Sequence, residues 1–289
     1  DVHFFKNKPF IMLEGSGFSG SFGAETEFVG QSKSRAARIV YYLKKRHTFG
    51  KMKMEVLDME GNKITDLSPG KSKGINVINW DFNKNVPKMA QGKTLSFGGF
   101  TSPRVSAGNY KIMLTKGKKT YEHIIEVVYD KNSITNSTER KEQEALTETL
   151  FNMVEDLAFI VYEMNGTMDK AQEVIKNDPK GKKKAQQAYN ALNTLLKELV
   201  VTTGDNYVAS AEPELREKMG DLYSNIASTY DKVSGSNKDN FELISEEFDT
   251  AKSKYQVIQN KEVKKFNSYL EKSGKELTKL KSKQEFLEK

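Results

Sequence analysis

The side chains best able to do chemistry in this chain are few and far apart. Histidine occurs three times, as His3, His47 and His123. A zinc site needs three or four converging ligands, and His123 instead falls in an alternating run with Ile125 and Val127, where a strand would half-bury it and a hydrogen bond would satisfy it. Cysteine is absent, which removes disulfides, thiolate chemistry and any Cys-based zinc site. There is neither a Gly-x-Ser-x-Gly elbow nor a Gly-x4-Gly-Lys-Ser/Thr phosphate loop. The glycine-rich stretch from Gly15 to Gly23 lacks the preceding strand and following helix that phosphate cradling requires. Asp58 and Glu60 lack calcium-loop spacing and read as turn formers. Glu246 and Glu247 are neighbours on a helix, whereas glycosidase chemistry needs two carboxylates facing each other across a cleft. No catalytic residue, metal site or cofactor is expected, and the chain is expected not to be an enzyme.

What remains is binding. A long irregular segment, residues 82–106, carries Lys84, Lys88, Lys93, Phe97, Phe100 and Arg104. A loop of this length inside a compact domain is either functional or docked on a neighbour. The N-terminal stretch adds Phe4, Phe5, Phe10, Phe18 and Phe22, aromatics that a free linker would not use. The interaction candidates are therefore Phe97, Phe100, Arg104, Lys84, Lys88, Phe4 and Phe5.

Two kinds of element must position these residues. From about residue 36 the pattern has period two. Ala37–Lys44 is β-branched and aromatic; Met52, Met54 and Val56 alternate with charges; Asp58-Met59-Glu60-Gly61-Asn62 turns the chain back into Lys63–Leu67. Gly74–Trp80, Tyr110–Thr115 and Thr120–Tyr129 follow with turn signals between them. Short strands at this spacing predict an antiparallel β-sandwich. After about residue 136 the period becomes three and four. Leu146, Leu150, Met153, Leu157, Ile160 and Met164 form one stripe, ended by Asn177-Asp178-Pro179-Lys180-Gly181. Three further stripes run from Ala185 to Leu199, from Leu215 to Ile226 and from Phe241 to Leu270, and the short connections predict an up-down four-helix bundle.

The two halves differ in charge. Residues 1–135 hold 22 Lys/Arg against 12 Asp/Glu, a balance of +10, and residues 136–289 hold 24 against 27, a balance of −3. The expected organisation is an extended segment over 1–35, a sandwich over 36–132, a helical bundle over 136–275 and a charged, frayed tail over 276–289. No apolar run approaches the roughly 20 residues needed to span a bilayer. Asp1 in place of Met reads as a processed or excised chain.

Several motifs carry a resemblance. Ala37-Arg38-Ile39-Val40-Tyr41-Tyr42-Leu43-Lys44, Met54–Lys63, Lys73–Asp81 with its Gly-Ile-Asn-x-x-x-Trp-Asp, and Gly108–Leu114 with its Gly-x-Tyr resemble the C-terminal Ig-like module of bacterial sortilin-type, neuraminidase-repeat (BNR) β-propeller surface proteins. The Gly-Ile-Asn-x-x-x-Trp-Asp and Gly-x-Tyr elements are also similar to the Ig-like domain of flagellar hook caps. Glu214–Tyr223 and Val263–Leu270 resemble the third and closing helices of the propeller proteins, and residues 3–12 look like the chain leaving the last propeller blade. The family's Pro before Gly-x-Tyr is Ala107 here. The resemblance implies a non-catalytic accessory module of a secreted, periplasmic or cell-surface bacterial protein. It would brace or dock a propeller or a surface complex, with a protein partner, no nucleic acid and no membrane span. A carbohydrate- or peptide-binding module using loop 82–106, or a non-catalytic fragment of a larger glycoside hydrolase or peptidase, is the alternative.

Overall fold

A computed structural model describes residues 1–13, 35–204, 211–229 and 231–288. The chain forms two compact units, the first comprising Asp1–Asn85 and Ser102–Arg140 and the second Val86–Thr101 and Lys141–Lys289.

The first unit is built from eight strands: β1 (Val2–Phe4), β2 (Phe10–Met12), β3 (Ala37–Leu43), β4 (Met52–Leu57), β5 (Lys63–Leu67), β6 (Gly74–Trp80), β7 (Gly108–Lys116) and β8 (Lys119–Tyr129). They make a three-stranded sheet, β1-β3-β6, and a five-stranded sheet, β2-β8-β7-β4-β5. In β3, Ala37, Ile39, Tyr41 and Leu43 are buried while the residues between them are not. That is the period-two pattern of a strand with one face on a core. The core is shared by the two sheets: Ile39 and Tyr41 of one meet Met54, Ile112, Leu114, Ile125 and Val127 of the other. Its aromatic members keep their polar ends satisfied. Tyr41 Oη donates to the Gly70 carbonyl at 2.6 Å, and burial pushes that phenol up to about 12. Trp80 meets Tyr110 edge-on at 5.4 Å, and Tyr110 Oη donates to the Ser106 carbonyl at 2.7 Å.

The second unit holds α1 (Ser137–Asn177, which begins in the first unit), α2 (Lys182–Leu199), α3 (Leu215–Ala227), α4 (Gly235–Ile258), α5 (Lys264–Lys272) and α6 (Lys283–Leu287). A π-helical segment, Gln259–Val263, joins α4 to α5 without a break. Leu150, Leu157, Val161 and Met164 of α1 pack with Leu192 and Leu195 of α2, Met219 and Tyr223 of α3, and Phe248 of α4.

This corrects the expected antiparallel Ig-like sandwich followed by an up-down four-helix bundle. The five-stranded sheet is mixed, because β2 pairs in parallel with β8, Phe10 opposite Val127. Three-residue strands such as β1 and β2 carry too little periodicity to be read beforehand. The helical unit is organised around α1, which runs for 41 residues against 18 in α2, so the helices cannot be equivalent staves. The unit also takes in residues 86–101, whose Ala90 is buried in the helical core.

Both chain ends carry ordered elements. Of the supposed extended segment 1–35, residues 2–4 and 10–12 are strands, and Phe4 and Phe10 pack on the β core. Gly15–Gly23, with Phe18 and Phe22, lies outside the described residues. The charged tail, expected to fray, carries the short helix α6. Ser282 and Glu285 cap α6 reciprocally, and Phe286 stacks on Tyr162 at 4.7 Å.

Candidate functional site

The segment between β6 and β7 leaves the first unit through a narrow neck. Lys84 N donates to the Pro103 carbonyl and Val105 N to the Phe82 carbonyl, both at 2.8 Å. Phe82 is buried and has φ 62, a left-handed conformation that is strained for a bulky side chain.

Residues 86–101 are seated by helices. Lys88 N donates to Glu155 Oε1 of α1 at 3.1 Å, and Lys93 N to the Val201 carbonyl at 2.9 Å. On α3, Arg216 and Glu217 are each only 7% exposed. Arg216 Nε donates to the Ala90 carbonyl at 2.6 Å and Nη1 to the Thr94 carbonyl at 3.1 Å. Thr94 Oγ1 donates to Glu217 Oε1 at 2.7 Å, and the same carboxylate oxygen accepts from Arg216 Nη1 at 2.5 Å. A guanidinium, with five donors and no acceptor, suits a loop that presents carbonyls. One turn further along α3, Gly98 lies against Gly220: a Cβ on Gly98 would come within 2.9 Å of Gly220 Cα. Tyr223 Oη then donates to the Thr101 carbonyl at 3.0 Å, and the Thr101 and Ser224 hydroxyls are 2.7 Å apart.

On this seat stands a short 3₁₀ turn, Phe97–Gly99. Phe100 N donates to the Phe97 carbonyl at 2.9 Å, so the two aromatics are separated by one 3₁₀ repeat, which sends side chains i and i+3 from the same side of the turn. Phe97 is 52% and Phe100 70% exposed, with Leu95 also exposed beside them. Two rings are thus held in water on backbone that is itself anchored.

No protein-family model matches the chain, and no curated protein matches it.

The other candidates fall elsewhere. Lys88 lies over the Phe286 ring, 4.1 Å from its centroid, and donates to the Phe286 carbonyl, so it latches the α6 segment. Lys84 and Arg104 belong to the neck, where Arg104 bridges to Asn83 and burial holds its guanidinium below the ordinary value. Phe4 packs against Tyr41 at 5.6 Å and stacks on His123 at 5.1 Å, whereas Phe5 stays exposed beside His3. Of the seven, Phe97 and Phe100 share the 3₁₀ turn, while Lys84 and Arg104 share the neck. Sequence reading missed Arg216, Glu217, Gly98 and Gly220. The available signal was Gly220 itself, since a glycine inside a helix costs about 1 kcal/mol and implies close packing.

The groups considered for chemistry do not converge. His47 is beside the Gly50 carbonyl, and His123 is 2.8 Å from Asn7 Oδ1. Asp58 accepts from the Asn62 backbone at 2.7 Å, and the Asn62 side-chain hydrogen bond chiefly holds its carboxyl below the usual range. Among the described residues no three His, Asp or Glu side chains are grouped to hold a metal ion. Nor, among them, is any helix long and apolar enough to cross a membrane.

Proposed function

We propose that this chain is a non-catalytic interaction module that contacts a protein partner through Phe97 and Phe100. The carrying observation is the combination of two exposed rings with a backbone anchored on either side of them. Aromatic side chains bring large apolar area, and a turn already ordered loses little conformational entropy on binding. The motif resemblance to sortilin-type, BNR-repeat propeller proteins supplies the setting: a secreted or cell-surface bacterial protein in which the module braces a propeller or docks it into a surface complex.

The test uses the full chain and a Phe97→Ser/Phe100→Ser variant as baits on a bacterial envelope extract, with quantitative mass spectrometry. Companion proteins held by the parent chain should be lost from the variant. An unchanged companion set refutes the aromatic turn as the contact surface. A glycan platform would use the same rings, so a glycan array run on both baits separates the two readings: ring-dependent glycan signals without ring-dependent protein companions favour the carbohydrate alternative.

A further inference from the structure

A second feature of the helical unit is independent of the aromatic turn. Between α1, the α4–α5 run and the segment before α6 lies a cavity of ≈ 300 Å³, lined by Glu163, Thr167, Tyr255, Gln259, Asn267 and Thr278 together with aliphatic side chains. None of its lining side chains is basic. Tyr255 Oη donates to Glu163 Oε2 at 3.1 Å and accepts from Gln259 Nε2 at 2.5 Å. Among the described residues Tyr255 is the hydrogen-bond partner of the Glu163 carboxylate, and no cation pairs with it. Burial accordingly pushes the Glu163 carboxyl above its ordinary range. In the same lining, Thr278 Oγ1 is buried without a partner among the described residues.

The backbone is arranged for this cavity. Tyr255, Gln259, Val263 and Asn267 are spaced four apart and all line it. On a straight α-helix, residues four apart drift by about 40° at each step, which would carry Asn267 well off the face that Tyr255 occupies. The π segment, Gln259–Val263, has a wider turn that takes back this drift and keeps the four side chains on one face. Such segments recur at functional sites. The wall is closed where α1 has Gly166, at which a Cβ would meet Leu280 Cδ2 at 2.6 Å.

We propose that this cavity binds a primary ammonium group on a short aliphatic stem, with Glu163 as counter-ion and the Thr167 and Thr278 hydroxyls as further acceptors. An ammonium has three donors and no acceptor, which matches a site offering a carboxylate and hydroxyl oxygens. Val263, Leu277 and Leu280 supply apolar surface for the stem. A hard divalent cation does not fit, because a calcium ion takes about six to eight oxygen ligands and usually more than one carboxylate, and Glu163 is the one carboxylate in the lining.

The ammonium could belong to a free amine or to a lysine side chain of a polypeptide. The test is titration of the full chain with n-butylammonium, Nα-acetyl-lysine amide and, as the uncharged comparison, n-butanol, followed by calorimetry and by NMR of the Asn267 side-chain amide. Butylammonium should bind and shift the Asn267 signals, butanol should not, and Glu163→Gln should weaken binding by about tenfold or more, as expected for a hydrogen bond to a charged group. Thr167→Val, which keeps the carboxylate, should weaken it less. Tighter binding of the lysine amide than of butylammonium assigns the site to polypeptide lysines; equal or weaker binding assigns it to free amines. Equal binding of butanol, undiminished binding to a folded Glu163→Gln chain, or no response at Asn267 overturns the proposal.

Discussion

Replacing Gly98 by alanine tests the seating of the aromatic turn on α3. The added methyl would lie 2.9 Å from Gly220 Cα, 3.0 Å from its carbonyl oxygen and 3.3 Å from its carbonyl carbon. All three are backbone atoms inside a helix and cannot rotate aside, so the turn must lift. Overpacking of this kind costs about 1–3 kcal/mol, while the alanine returns about 0.4–1 kcal/mol by restricting the unfolded chain. The net expectation is a loss of about 1–2 kcal/mol, read as a lower urea midpoint with unchanged m-value and as a melting point lower by about 2–4 °C per kcal/mol for a unit of this size. The neighbouring Gly99 is the control. Its added methyl would meet only the Met89 side chain, Cγ at 3.1 Å and Cβ at 3.9 Å, which can give where helix backbone cannot, so Gly99→Ala should be neutral or slightly stabilising. Hydrogen exchange at the Phe100 and Lys93 amides, bonded to the Phe97 and Val201 carbonyls, should speed up in Gly98→Ala and not in Gly99→Ala. If Gly98→Ala unfolds at the same or higher urea than Gly99→Ala, the close contact with Gly220 does not seat the turn.

Three further outcomes follow from the same geometry. Arg216→Ala leaves the Glu217 carboxylate buried without its counter-charge, with only the Thr94 hydroxyl on it, and should cost about 3–5 kcal/mol, whereas Arg216→Met with Glu217→Leu should cost clearly less; additive effects in urea unfolding would refute the coupling. Phe97→Ser and Phe100→Ser should each change stability by no more than about 0.5 kcal/mol, and a larger loss by calorimetry would mean that the rings are packed. Burial holds the His123 imidazole below its ordinary value, so the unfolded chain binds that proton more tightly. Stability of the β unit should therefore fall as pH drops below about 6.5 towards the lowered folded value, and His123→Gln should flatten this part of the urea-midpoint profile.

Much of the secondary structure was legible because local patterns specify it. The β-branched and aromatic run Ala37–Lys44 and the run Gly74–Trp80 became β3 and β6. The hairpin glycines Gly61 and Gly117 take φ +96 and +61, as tight turns require. Phe97 and Phe100 stood out as aromatics in a loop too long to be a simple connection. What no local pattern contains is which unit that loop belongs to. Its anchors are Arg216 to Ala90 and Thr94, pairs 122–126 residues apart in sequence. The buried guanidinium, the glycine contact at Gly98 and the cavity around Glu163 likewise exist only once distant segments meet. By itself the sequence determined strands, helices and the scarcity of reactive side chains, since periodicity and composition are local properties. Only the tertiary structure decided which polar groups leave water and which aromatics stay in it, because burial depends on neighbours that the chain brings together by folding.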